Sequence, residues 1–188
     1  MPPTLDPIAD GVRIRPFQTG DAPLLHEAAL ESVETVHPWL EWCRPGYASE
    51  EARIWVERQI VAFRNRSEYQ FAITTSDGRF LGGCGLNAFD DVHRRANLGY
   101  WVRRGAAGCG VATAAIPRLV HWAFMNTHFN RLEVVIATGN AGSLRVAEKT
   151  GALREGVLRS RLMLHGAPCD AVMFSFIRGA DEPERRGL

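Results

Sequence analysis

The sequence lacks the residue patterns that metal sites and disulfide frameworks require. Its 188 residues include only four cysteines, Cys43, Cys84, Cys109 and Cys169, and no two of them form a CxxC pair. Only His165 has a ligand-like spacing from a cysteine, in this case Cys169. Because zinc sites and disulfide frameworks need closely or regularly spaced ligands, we expect neither metal nor disulfides. A reducing cytoplasm fits this composition best.

Long apolar runs and an export signal are also missing. No stretch approaches the ~20 apolar residues of a membrane span. The first ten residues carry prolines but no basic segment followed by an apolar one. The charges nearly cancel, with 22 Lys and Arg, nearly all of them Arg, against 21 Asp and Glu. Because a net charge of +1 without a basic stripe disfavours nucleic-acid binding, we expect a cytoplasmic protein that binds neither nucleic acid nor membranes.

What remains is the composition of an ordinary globular domain. Hydrophobic residues make up 46% of the chain and charged residues 23%, close to the average for soluble domains. The length is sufficient for one hydrophobic core. We therefore expect a single domain over 12–178, preceded by an N-terminal extension over 1–11 and followed by a flexible, charged tail over 179–188.

Hydrophobic periodicity predicts strands and helices in the order β-α-α-β-β-β-α-β-α-β-β. The predicted strands are 12–17, 69–75, 80–89, 95–103, 131–137, 153–164 and 171–177, and the predicted helices are 22–30, 49–64, 111–126 and 143–150. The run Ser76-Asp77-Gly78-Arg79 is typical of a hairpin turn. This order predicts an α+β fold in which helices flank a mixed sheet.

A glycine-rich loop joins the predicted strand 95–103 to the predicted helix 111–126. Gly108 and Gly110 leave room for a ligand to approach the backbone, and the N–H groups at a helix N-terminus favour an anion. The loop has neither the GK[ST] of a P-loop nor a GxGxxG fingerprint. Taken alone, it could hold a diphosphate or could simply be a tight turn.

Two segments resemble motifs of the GNAT acetyltransferase family. The first comprises Asn97-Leu98-Gly99-Tyr100-Trp101-Val102, the glycine loop and the start of the following helix. It is similar to the family's cofactor-binding motif Q/R-x-x-G-x-G/A, whose six positions fall on Ala107, Gly108, Cys109, Gly110, Val111 and Ala112. Ala107 replaces the usual Gln or Arg and so removes one side-chain contact to the diphosphate. Arg103 or Arg104 could replace that contact.

The second segment runs over 140–152 and is similar to the family's Asn-x-x-Ser-x-x-x-x-x-Lys-x-Gly-Phe pattern. Its matching residues are Asn140, Ser143, Lys149 and Gly151, and only Ala152 departs from the pattern. Further matches at 37–40, 155–159 and Asp170 most resemble the Rim-type ribosomal-protein N-terminal acetyltransferases. The resemblance extends over 12–177.

The resemblance implies a GNAT fold, with a mostly antiparallel mixed sheet of about seven strands flanked by about four helices. It also implies direct transfer of an acetyl group from acetyl-CoA to a primary amine. By the same resemblance, Asn140 would position the cofactor arm and Ser143 would protonate the leaving thiolate, although serine is also a common helix cap. The residues expected to bind the donor are Trp101, Val102, Arg103, Ala107, Gly108, Cys109, Gly110, Val111, Ala112, Thr113, Asn140 and Ser143.

Asn97 stands where many family members carry a glutamate that deprotonates the amine through water. An amide cannot act as a base. Because an α-amino group has a reference pKa of ~8 against ~10.4 for lysine, it needs less help to lose its proton. We therefore expect a protein N-terminus, such as that of a ribosomal protein, as the acceptor. Glu155 ranks first as the catalytic base, ahead of Glu133, which could merely pair with an arginine, and His93, which could be structural.

The acceptor groove is expected in the loop between the first two helices. Trp39, Trp42 and Tyr47 would form its wall and Asn97 would contact the substrate, although the aromatic residues could instead fill the core beneath the loop. Three alternatives stay open: acetylation of a polyamine or antibiotic, transfer of a succinyl group, and a non-catalytic acyl-CoA-binding module. The resemblance also favours a homodimer.

Overall fold

The computed structural model describes residues 11–179, and the elements below belong to this range. The strands are β1 (Arg13–Pro16), β2 (Tyr69–Thr74), β3 (Phe80–Asp90), β4 (Arg95–Val102), β5 (Arg131–Ala137), β6 (Leu153–Leu164) and β7 (Ala167–Ile177). The helices are α1 (Ala22–Val36), α2 (Ser49–Arg64), α3 (Val111–Asn126) and α4 (Ala141–Lys149). None of these helices is long and apolar enough to cross a membrane. Apart from Gly11 and Gly179, the expected extension and tail lie outside the described residues.

The strands form one mixed sheet in the order β1-β2-β3-β4-β5-β7-β6. Every neighbouring pair is antiparallel except β4 and β5, which run parallel. The predicted hairpin turn joins β2 to β3, and Gly78 occupies its left-handed position with φ +92°. The expected fold class and element order are confirmed.

Three element boundaries differ from the sequence prediction by two residues or more. Helix α1 continues to Val36, and within it the hydroxyl of Ser32 donates to the carbonyl of Ala28 at 2.5 Å and accepts the N–H of Arg104 at 2.9 Å. The tertiary contact with Arg104 outweighs the low helix propensity of the segment after Leu30. Helix α4 starts earlier than predicted, at Ala141. Strand β7 starts at Ala167, because a tight turn with left-handed residues at 165 and 166 reverses the chain directly after β6.

Two helices cover each face of the sheet. Helices α3 and α4 lie on one face, where Leu98, Leu132 and Phe174 are buried in the main core. Helices α1 and α2 lie on the opposite face and form a second core against Phe80 and Trp101. Because successive strand residues point to opposite faces, the alternation places Trp101 and Asn97 on the α1/α2 face and Tyr100 on the α3/α4 face.

Candidate active site

Strands β4 and β5 separate towards their C-terminal ends. Their pairing includes Arg95 with Arg131 and ends after Asn97 with Glu133. Beyond that level β4 pairs only with β3, as far as Val102, while β5 pairs only with β7. The facing edges therefore carry peptide groups outside the ladder of the sheet. Because buried peptide groups require partners, an extended ligand with amide groups of its own can complete these edges.

The glycine loop ends at the N-terminus of α3 in a conformation that only small residues adopt easily. Gly108 and Gly110 have φ angles of +79° and +80°. Gly110 is the cap residue of α3, and neither a capping side chain nor an acidic residue occupies this first turn. The first bond of the helix joins the N–H of Ala114 to the carbonyl of Gly110 at 2.9 Å. The preceding N–H groups of α3 are left as donors for an anion, so the loop fits a diphosphate.

Arg103 does not reach into this loop, because its side chain is held by α1. Its guanidinium donates to Glu31 and, at 2.9 Å, to Glu27, and the side chain is only 11% exposed. Arg104 pairs with Glu34 at 2.7 Å. Neither arginine therefore replaces the side-chain contact that Ala107 lacks. The backbone of Arg103 is engaged as well, because its N–H donates to Leu81 at 2.8 Å and its carbonyl accepts from Ala106 at 3.0 Å. The expected contact of Arg103 with the donor stays a prediction.

Asn140 and Ser143, the matched pair of the second motif, contact each other directly. The Oδ1 atom of Asn140 accepts the N–H of Ser143 at 3.1 Å and so caps α4. The cap is therefore Asn140 and not Ser143. Among the hydrogen bonds of residues 11–179, none involves the Ser143 hydroxyl, which leaves that group free for a ligand.

Tyr100 lies on the strand expected to pair with the donor, but the sequence assigned no role to its side chain. Its hydroxyl donates to the carbonyl of Ser143 at 3.1 Å and so links β4 to α4 across the separating strands. Burial raises the pKa of Tyr100, so the phenol stays a protonated donor at neutral pH. Strand alternation, which puts Tyr100 on the face opposite Trp101, was the available signal.

The structure argues against Glu155 as the catalytic base. Its carboxylate accepts two hydrogen bonds of 2.6 Å from Arg131 and one of 2.7 Å from Ser175. These bonds, first that of Arg131 and then that of Ser175, lower the pKa of Glu155 to about 2. Such a carboxylate accepts protons poorly at neutral pH. Arg131 also marks the end of the sheet at which β4 and β5 are still paired.

The other two candidate bases are also engaged elsewhere. Glu133 accepts hydrogen bonds from Arg131 at 2.8 Å and from Arg95 at 3.3 Å. It therefore pairs with arginines, as the sequence analysis allowed. His93 is 70% exposed and contacts Asp90 at 2.9 Å in the turn before β4. Glu133 pairs with Asn97 at the last level where β4 and β5 are joined, but both arginines bind its carboxylate. Glu155 and His93 lie away from the separated ends of the strands.

The loop between α1 and α2 crosses the separated strand ends on the α1/α2 face. We call residues 37–42 the tryptophan loop. The ring of Trp42 lies 5.3 Å from that of Trp101 on β4. Trp39 packs so closely on Gly139, after β5, that a Cβ atom there would lie 3.3 Å from its ring. Glu41 accepts the N–H of His165 in the β6–β7 turn. The loop thus contacts β4, the segment after β5 and the β6–β7 turn, where the sequence predicted a substrate wall.

Tyr47 is not part of that wall. It is 7% exposed and belongs to the second core. Its ring supports Trp42 at 5.5 Å. Burial raises the pKa of Tyr47 to about 12. The core-filling alternative therefore applies to Tyr47, whereas Trp42 is 36% exposed and available to a ligand.

A family model and three relatives that match this chain are all named as acetyltransferases. The model of the acetyltransferase (GNAT) domain matches residues 12–153. YdaF of Bacillus subtilis (strain 168) is 29% identical over 181 residues, which cover 95% of this chain and 97% of the relative. The probable N-acetyltransferase YjcK of the same organism is 32% identical over 66% of this chain and 72% of its own. The ribosomal-protein-serine acetyltransferase of Escherichia coli (strain K12) is 23% identical over 81% and 85%.

Solved structures share the same fold. RimL, an α-N-protein acetyltransferase of a ribosomal protein solved with coenzyme A, superposes with a TM-score of 0.84 at 21% identity, covering 95% of this chain and 100% of that one. RimJ of Mycobacterium smegmatis, solved with a CoA disulfide, superposes with a TM-score of 0.80 at 25% identity, covering 88% and 81%.

Proposed function

The chain belongs to the GNAT family of acetyltransferases, and from this premise we propose that its acceptor is the N-terminal α-amino group of a protein. Family membership makes it an enzyme that takes the acetyl group from acetyl-CoA. The observation that carries the proposed acceptor is Asn97. Its amide is bonded to Asn87 at the level where β4 and β5 part, in the place of the family's glutamate. Because an α-amino group is partly neutral near pH ~8, it can react without a strong base.

A ribosomal protein is the proposed acceptor. Support comes from the relative named as a ribosomal-protein-serine acetyltransferase, of which this chain covers 85%. The names of the RimL and RimJ neighbours point to the same class. We place the enzyme in the cytoplasm, where ribosomal proteins are assembled, with residues 12–178 as one catalytic domain. We also propose a homodimer, which sedimentation velocity would test.

Acetyl-CoA supplies the activated acetyl group, and this chain's residues bind and orient it. The N–H groups at the start of α3, together with the loop from Ala107 to Thr113, would hold the diphosphate. The free backbone edge at Trp101 and Val102 would pair with the pantetheine arm in the manner of an added strand. Asn140 would fix the first turn of α4 beside that arm.

The transfer itself requires a neutral amine and a proton for the departing thiolate. The amine would approach from the α1/α2 face, between Asn97 and the tryptophan loop, while the donor occupies the opposite face. As the C–N bond forms and the C–S bond breaks, the hydroxyl of Ser143 would give its proton to the sulfur and recover one that the amine nitrogen loses. Trp39 and Trp42 would limit the access of water and hold the peptide end against β4.

The test is CoA release from acetyl-CoA with three sets of acceptors in parallel. They are peptides with a free N-terminal Ser, Ala or Met, the same peptides with a blocked N-terminus and an internal lysine, and a panel of polyamines and aminoglycosides. Release with the free N-termini alone supports the proposal. Release with the blocked peptides or small amines alone contradicts it. Succinyl-CoA in place of acetyl-CoA tests the donor, and turnover with any acceptor excludes a non-catalytic binding module.

A further inference from the structure

We propose that Tyr100 is a positioning residue whose hydroxyl fixes Ser143 against β4 and so aims the Ser143 hydroxyl at the sulfur of the donor. The inference rests on the proposed role of Ser143 in acetyl transfer. It does not depend on which class of amine is the acceptor.

The position of Tyr100 in the sheet gives its hydroxyl this effect. Tyr100 lies on the part of β4 that no longer pairs with β5, since that pairing ends at Asn97. Within residues 11–179, its bond to Ser143 is the one hydrogen bond that joins β4 to α4. This contact therefore ties the free part of β4 to the first turn of α4. The donor arm must lie beside it.

Ser143 is held at both of its backbone polar groups by side chains. Its N–H donates to Asn140 at 3.1 Å, and its carbonyl accepts from Tyr100 at 3.1 Å. Two bonds from opposite sides of the gap fix the residue, although α4 has only nine residues and little stability of its own. The Ser143 hydroxyl is left without a partner among the described residues. A fixed backbone with a free hydroxyl is the arrangement expected of a preorganised proton donor.

The side chain of Tyr100 is suited to donate the same hydrogen bond throughout the reaction. Its ring packs against the main core, which holds the phenol in place whether or not the hydroxyl is present. The acceptor of its hydrogen bond is a backbone carbonyl, which cannot be removed by substitution of Ser143. Replacement of Tyr100 by phenylalanine therefore removes one hydrogen bond and little packing.

The experiment compares Tyr100→Phe, Ser143→Ala and the double variant with the wild-type enzyme. Tyr69→Phe is the matched control, because Tyr69 is buried in the same core and its hydroxyl has no hydrogen-bond partner within residues 11–179. The kcat and the KM for acetyl-CoA are measured with whichever amine the wild-type enzyme acetylates. A wrong acceptor class thus contradicts the proposed function and leaves this test intact.

We expect Tyr100→Phe to lower kcat by about 10-fold to 100-fold with the KM for acetyl-CoA changed less than about twofold, because misplacement of a proton donor slows chemistry more than binding. Tyr69→Phe should change neither constant. In the Ser143→Ala background, Tyr100→Phe should cause no further loss, because no hydroxyl remains to be aimed.

Three results would overturn the inference. A raised KM for acetyl-CoA with unchanged kcat would show that Tyr100 contributes to binding of acetyl-CoA and not to the chemical step. An equal fractional loss in the Ser143→Ala background would show that Tyr100 acts independently of Ser143. A full kcat in Tyr100→Phe would remove the role altogether. Thermal melting and calorimetric titration with CoA on each variant separate these results from a failure to fold.

Discussion

The side-chain amide of Asn97 donates a hydrogen bond of 2.8 Å to the side-chain carbonyl of Asn87 on the neighbouring strand. The two residues face each other in the register of β3 and β4, at the last level where β4 still pairs with β5. The bond holds the Asn97 side chain at the point where the acceptor amine would meet the donor. A neutral amide pair thus occupies the place of a charged base, and the acceptor must bring its own reactivity.

The pH dependence of the reaction should therefore follow the acceptor. We expect kcat/KM to rise with pH and to level off near the pKa of the acceptor's own α-amino group, ~8, because Asn97 takes no proton. The measurement is kcat/KM for two N-terminal peptides whose α-amino pKa values differ. The two midpoints should differ by the same amount. A common midpoint below ~6 would reveal an enzyme carboxylate acting as base instead.

Gly108→Ala should weaken the binding of the donor. The backbone of Gly108 is left-handed, and no atom lies within 4 Å of the place that a Cβ atom would take, so the cost comes from the backbone conformation of the loop. We expect the KM for acetyl-CoA to rise about 10-fold with kcat retained at saturation. Gly78→Ala is the control, since Gly78 is also left-handed with open space but lies in the β2–β3 turn. Both variants should lose a similar stability of about 1 kcal/mol, and only Gly108→Ala should change KM.

Glu155→Gln should affect stability and leave catalysis unchanged. The folded-state pKa of Glu155 lies near 2, below the ordinary value of 4.5, so its ion pair with Arg131 stabilises the fold above pH 4.5. That contribution is lost as the pH falls from 4.5 towards 2. We expect a Tm lower by about 2 °C at neutral pH, because exposed ion pairs contribute at most ~1 kcal/mol. The difference should shrink on acidification. A large loss of kcat at neutral pH would restore Glu155 as a base.

Trp42→Ala should impair binding of the acceptor and spare the donor. Trp42 is 36% exposed and stands on Trp101 at the opening on the α1/α2 face. We expect the acceptor KM to rise about 10-fold, as for the loss of an aromatic anchor, with the KM for acetyl-CoA unchanged. Trp42→Phe should recover part of the loss. The control is Ile54→Ala, because Ile54 is an apolar residue of α2 with 53% exposure, and this variant should change neither KM.

The sequence predicted the features that local pattern decides. Strand and helix periodicity, the hairpin turn at Gly78 and the glycine loop are all encoded within short windows, and the element order with its mixed sheet is confirmed. The predicted end of α1 was wrong, because Ser32 is held by the backbone of Arg104, which is 72 residues away. No window of the sequence contains that contact.

In the candidate site, too, contacts between residues far apart in the sequence could not be predicted. The contact of Asn140 with Ser143 spans one helical turn, so a motif could reveal it. By contrast, the low pKa of Glu155 depends on Arg131, 24 residues earlier, and the role of Tyr100 depends on a carbonyl 43 residues later. Long-range pairing of strands decides which charged groups meet. Composition and spacing along the chain carry no such information.

The separation of β4 from β5 makes the donor a structural component of the sheet. Only three residue pairs join the two strands, so the hydrogen-bond ladder between the part β1–β4 and the part β5–β7 of the sheet is short. An extended arm with amide groups in that gap would act as an inserted strand and hydrogen-bond to the free edges of both β4 and β5. Each turnover would then add this strand and remove it again. Slowed amide hydrogen exchange along both free edges would accompany each filling of the gap.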